Sequence, residues 1–85
     1  MNERDKAYSR YIYLKRYLFE LAQECQALAG SIHEETEFNF TEKDFSNVDC
    51  DKVISLAKEL KLRQDDFKKK SAEFTRLTDT YKFTE

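Results

Sequence analysis

Residues 4–30, RDKAYSRYIYLKRYLFELAQECQALAG, decide how the rest of the chain is read. Counting alternately four and three residues apart picks out Ala7, Tyr11, Leu14, Leu18, Leu21, Cys25, Leu28 and Ile32, none of them charged. An apolar repeat averaging about 3.5 residues draws one stripe along an α-helix and predicts packing against another helix. Tyr8, Ile12, Phe19, Ala22 and Ala29 lie beside that stripe and widen it. The apolar arc then covers about half the helix, more than a single neighbouring helix shields. Gly30, the only glycine in the chain, suits a left-handed C-cap and sets the expected helix at 4–29. Ile32 is then expected to fold back onto the last turn.

Residues 50–83, CDKVISLAKELKLRQDDFKKKSAEFTRLTDTYKF, repeat the register through Cys50, Val53, Ala57, Leu60, Gln64, Phe67, Ser71, Phe74, Thr78 and Tyr81. Leu56 and Leu77 reinforce the flank, and no glycine or proline interrupts the segment. A second helix is expected over 50–82, with Gln64 and Ser71 either fixing register in the seam or, the favoured reading, facing a looser part of the bundle. The expected fold is all-α, a long antiparallel helical hairpin occupying residues 1–85 as one helical domain. Two helices alone bury little, so a four-helix bundle formed by a coiled-coil homodimer is the simplest completion. A heterologous protein helix satisfies the same physics.

Between the arms, residues 30–49 read as an irregular or short-helical connector. Residues 31–51 hold one lysine against seven acidic residues, whereas the segments on either side are mildly basic. Thr41 and Asp44 suit the opening of a short helix. Phe38, Phe40 and Phe45 are then placed to cover the open end of the hairpin. Ser46, Asn47 or Asp49 is expected to cap the second helix, where Asp49 and Asp51 also oppose the positive end of its dipole.

The acids around 44–51 do not make a calcium loop. Counted from Asp44, Val48 falls on a ligand position and Asp49 on the position that needs glycine. His33 is the only histidine, and the glutamates beside it lack the spacing of a zinc site. Asn39-Phe-Thr41 matches a glycosylation acceptor, but no secretory signal precedes it. Cys25 and Cys50 sit on the two apolar stripes, where closure of the hairpin at Gly30 brings them towards each other; each also reads as a small buried hydrophobe. Neither has an activating base on its own element. No catalytic residue, cofactor or metal ligand is assigned, and the chain is expected not to be an enzyme.

Five tyrosines and seven phenylalanines in a chain that is 38% charged fit a folded, water-facing protein rather than a solvated tail. No apolar run approaches the roughly 18 residues of a membrane span. Without a signal-peptide core at the start, the expected location is cytoplasmic or another intracellular compartment, with the thiols free. The expected role is a small noncatalytic protein-interaction or assembly module, an adaptor working through its helical surface. Its candidate interface comprises Tyr8, Tyr11, Ile12, Leu18, Phe19, Phe67, Phe74 and Tyr81, aromatic residues being good interface anchors. The alternative is a nucleic-acid-binding accessory protein using Arg10, Arg16, Lys58, Lys61, Lys68 and Lys69 against phosphates. Against it, Glu59, Asp65, Asp66 and Glu73 dilute the positive field, and no helix-turn-helix spacing is present.

Overall fold

The computed structural model describes residues 2–42 and 45–83, and the side chains of these apart from 38–42. Two helices, α1 (Glu3–Glu42) and α2 (Cys50–Tyr81), pack side by side as an antiparallel hairpin measuring 61 × 21 × 17 Å. Ion pairs fix the register from end to end. Arg10 meets Glu73 near the termini, Glu24 meets Arg63 midway, and Glu35 meets Lys52 towards the loop.

Local chemistry accounts for the helix starts. Asn2 Oδ1 accepts the Asp5 backbone N–H at 2.8 Å, and Glu3 and Asp5 lie in the first turn, where negative charge is favoured. Asp49 caps α2 as expected, its Oδ1 accepting the Lys52 N–H at 3.0 Å. Asp51 adds an acid to the same turn.

The first helix is longer than the sequence reading placed it. It runs through Gly30 to Glu42, with no positive φ at the glycine, so Gly30 is not a C-cap and Ile32 does not fold back. A helical glycine costs only about 1 kcal/mol relative to alanine. In the next turns Ser31, Ile32 and Glu35 are half-buried, and Glu35 pairs with Lys52 at 3.2 Å. Thr36 Oγ1 also donates to the Ile32 carbonyl at 3.1 Å. The connector therefore shrinks from 30–49 to 43–49, and Thr41 belongs to α1 rather than opening a short helix. Residues 43 and 44 and the side chains of Phe38 and Phe40 lie outside the described residues. Phe45 is 56% exposed.

Packing is densest at the end where the chain termini meet. Among the described residues Ala7, Tyr11, Leu14, Leu21 and Phe83 are the buried apolar ones, and Leu14 is wholly enclosed. The α2 stripe is half-buried at best, and Ala57 and Gln64 within it are exposed. Past Tyr81, Lys82 takes a left-handed conformation with φ 55° and ψ 40°, its N–H bonded to the Thr78 carbonyl at 2.8 Å. That turn swings Phe83 back across Tyr8, Tyr11 and Tyr81, with ring centroids 5.1–5.4 Å apart.

Candidate helix-docking groove

The hairpin has two unlike flanks, and both follow from the heptad register. Arg10, Tyr17 and Glu24 recur every seven residues, each just before a residue of the apolar stripe. All three reach across to α2. Arg10 donates twice to the Glu73 carboxylate, at 2.6 and 2.9 Å. The Tyr17 phenol donates to Asp66, which also accepts from Lys70 at 3.2 Å. Arg63 lies 3.9 Å from Glu24 and donates to the Glu59 carbonyl.

These contacts set the charge states along this flank. The hydrogen bond from Arg10 holds the Glu73 carboxyl below the usual carboxylate range, and the bond from Tyr17 does the same for Asp66. Reciprocally, bonding to Asp66 raises the Tyr17 phenol above its ordinary value. Cations also stack on the rings here, Arg10 over Tyr13 and Lys70 over Tyr17. This flank is closed by polar groups.

The other flank is an open apolar trough. Towards the termini it holds a hollow of about 620 Å³ between Ile12, Leu18, Phe19 and Ala22 of α1 and Phe67 and Phe74 of α2. Towards the loop a second hollow, of about 790 Å³, lies between Cys25 and Ala29 on one side and Ala57, Leu60 and Gln64 on the other. Ala22 and Phe67 border both hollows, so they form one groove. Phe19 stands 65% exposed at its edge. Lys15, Arg16, Lys61 and Lys68 supply a basic rim. The small alanines on both helices leave this flank unfilled, where bulkier side chains would have closed it.

Ile12, Leu18, Phe19, Phe67 and Phe74 of the proposed interface thus come together in the groove. Tyr11 and Tyr81 do not join the open surface. Tyr11 is buried and stacks on Phe74 at 5.0 Å, and Tyr81 packs on Phe83. Tyr8 remains about half exposed beside this aromatic cluster. The basic candidates divide. Arg16, Lys61 and Lys68 line the groove, Lys58 and Lys69 are exposed outside its lining, and Arg10 is engaged on the closed flank.

Two elements escaped the sequence reading. Phe83 signals itself only as an aromatic two residues beyond Tyr81, after the end of the helix. The closed flank was marked by the sevenfold spacing of Arg10, Tyr17 and Glu24, matched by the spacing of Asp66 and Glu73.

No protein-family model matches the chain, and neither a curated protein nor a solved structure matches it.

The remaining candidate groups stay apart. Cys25 lies beside the Glu24–Arg63 pair and Cys50 beside the Glu35–Lys52 pair, eleven residues along each helix or about 16 Å. The longer α1 moves the turn away from Cys25, so the expected approach of the two sulfurs does not occur; both thiols are free. His33 is exposed and pairs with Glu37 at 3.1 Å. Among the described residues, no three His, Cys, Asp or Glu side chains converge in a way that could hold a metal ion. Nor is any helix among them long and apolar enough to cross a membrane.

Proposed function

We propose that this chain is a noncatalytic assembly module whose groove receives helices from another protein chain. The supporting observation is the groove itself: Ile12 and Phe19 are exposed on an apolar trough that the hairpin does not cover. An apolar trough between two helices, with basic side chains on its rim, is suited to the apolar face of an amphipathic helix. Covering it would complete the wide apolar arc of α1 and convert a thin two-helix core into a bundle core. The nucleic-acid alternative has less support. Arg10 is neutralised by Glu73, Lys61 pairs with Asp65 at 2.9 Å, and Arg16 and Lys68 border an apolar surface.

Light scattering combined with thiol labelling tests this reading on reduced protein across a concentration series. Cys25 lines the groove, while exposed Cys50 serves as an internal reference. The expected result is a mass above 10.2 kDa with Cys25 labelled much more slowly than Cys50, both effects being lost in Phe19→Asp. A monomer with a freely labelled Cys25 keeps the docking reading and assigns the groove to a foreign chain. A monomer with a slowly labelled Cys25, unchanged by Phe19→Asp, would show a groove closed within one chain and overturn the proposal.

A further inference from the structure

The distribution of free charge selects an occupant for the groove. Arg16 and Lys68 on its rim make no ion pair among the described residues. Towards the loop, Asp51 is exposed and likewise makes no ion pair among those residues. The whole segment 31–51 is strongly acidic, with seven acids and one lysine. The hairpin therefore presents opposite charges separated along its length, and its internal register keeps them apart.

The exposed area is that of an unfinished assembly. A compact folded protein of 10.2 kDa is expected to expose roughly 5,300 Å². This hairpin exposes 6644 Å². The surplus exceeds the roughly 800 Å² that each partner contributes to a standard protein interface.

We propose that a second copy of this chain covers the groove, antiparallel and offset along the long axis, with its acidic loop end over the basic rim. This inference rests on the docking reading of the groove. A copy centred directly over the groove would set Arg16 and Lys68 of the two chains against one another, and like charges facing across an interface oppose association. The offset moves the two copies of Lys68 about 25 Å apart, and Lys61, which stays near the axis, is already paired with Asp65. A two-fold axis passing near Leu60, midway between Lys68 and Asp51 on α2, makes each favourable contact twice. Lys68 and Asp51 are seventeen residues apart, about 25 Å along the helix.

The apolar residues agree with that axis. Cys25, Ala29, Ala57 and Leu60 surround it, giving a surface that can meet its own copy. Exposed Ile54 lies six residues to one side of Leu60 and Phe67 seven residues to the other, so Ile54 of each chain falls opposite Phe67 of its copy.

Complementary charge reversal provides the test. One full-length variant carries Lys68→Glu, and the other carries Asp51→Lys. Both positions are exposed, and circular dichroism checks that the helices persist. Light scattering should show a dimer for the wild type and at least a tenfold weaker self-association for each variant. An equimolar mixture of the variants should regain a one-to-one dimer, because only the mixed pair restores both charge contacts. A wild type that stays monomeric at every concentration overturns the second copy as occupant. Variants that each dimerise as tightly as the wild type overturn the offset arrangement. If Phe19→Asp still abolishes assembly in that case, the docking reading survives and only the offset pairing falls.

Discussion

Arg10 and Glu73, sixty-three residues apart in sequence, clasp each other through two hydrogen bonds of 2.6 and 2.9 Å and lock the closed flank of the hairpin. Glu73 and Asp66 both have carboxyl pKa values lowered by their hydrogen-bond donors, Arg10 and Tyr17 respectively. A folded-state pKa below the unfolded one contributes stability above the unfolded value and loses it as pH falls through the folded value. The unfolded carboxylates titrate near pH 4. Melting temperature should therefore fall as pH drops below about 4–5, and Glu73→Gln should flatten that dependence. The side chains are partly exposed, so salt should weaken the effect. Circular-dichroism melts from pH 7 to 3, at low and high ionic strength, provide the measurement.

Tyr17 gives the opposite sign on the same flank. Its phenol pKa is raised, chiefly by donation to Asp66, so its contribution is complete below the unfolded value near 10 and lost as pH rises through the folded value. Tyr17→Phe removes the donor and should abolish this alkaline loss. It should also let the Asp66 carboxyl titrate nearer its ordinary range, which carboxylate NMR shifts would report. An unchanged alkaline limb in Tyr17→Phe would place its source elsewhere.

Among the described residues Leu14 is the one wholly enclosed side chain, whereas Leu62 is 69% exposed. Leu14→Ala should cost about 2–4 kcal/mol, combining lost apolar burial with the cavity left behind. Leu62→Ala should stay within about 0.5 kcal/mol of the wild type. Urea unfolding of the two variants under identical conditions checks the contrast. Equal costs would mean that Leu62 is covered in solution.

The helical stripes were legible because a 3.5-residue repeat reports one face of a helix, whatever that face later meets. The end of α1 is not legible at Gly30 because the glycine signal is worth only about 1 kcal/mol, small enough for half-burial beyond it and the Glu35–Lys52 pair to offset. The groove was only half legible. Ile12 and Phe19 mark its α1 side, but which flank stays open depends on Arg10, Tyr17 and Glu24 finding partners on α2. Those pairings depend on helix rotation, which periodicity alone does not fix. Tyr11 shows the same limit: it was read as part of a binding surface, yet Phe83 and Phe74 enclose it.

Gly30→Ala tests the continuous helix directly. A Cβ added there meets nothing within 4 Å, and the backbone does not need positive φ. Alanine should stabilise the protein by roughly 0.5–1 kcal/mol, through helix propensity and a less disordered unfolded chain. Destabilisation of that size would instead indicate a left-handed cap at residue 30. Thermal and urea unfolding both read the sign.

Lys82 presents the complementary case, a lysine in the conformation that favours glycine. The left-handed region costs an L-residue with a Cβ about 1–2 kcal/mol. The cost is borne because Lys82 turns the chain so that Phe83 packs onto Tyr8, Tyr11 and Tyr81. Lys82→Gly should therefore stabilise by up to about 1 kcal/mol, after the greater freedom of glycine in the unfolded chain is set against the relief of strain. Phe83→Ala should destabilise by about 3 kcal/mol, because it uncovers Tyr11 as well as removing a buried ring. In the double variant the glycine should lose its gain, since without the Phe83 ring the packing no longer holds residue 82 in the left-handed turn. Near-ultraviolet circular dichroism, sensitive to the tyrosines beneath Phe83, should lose intensity in Phe83→Ala and retain it in Lys82→Gly. An unchanged spectrum in Phe83→Ala would show that the ring does not rest on this cluster in solution.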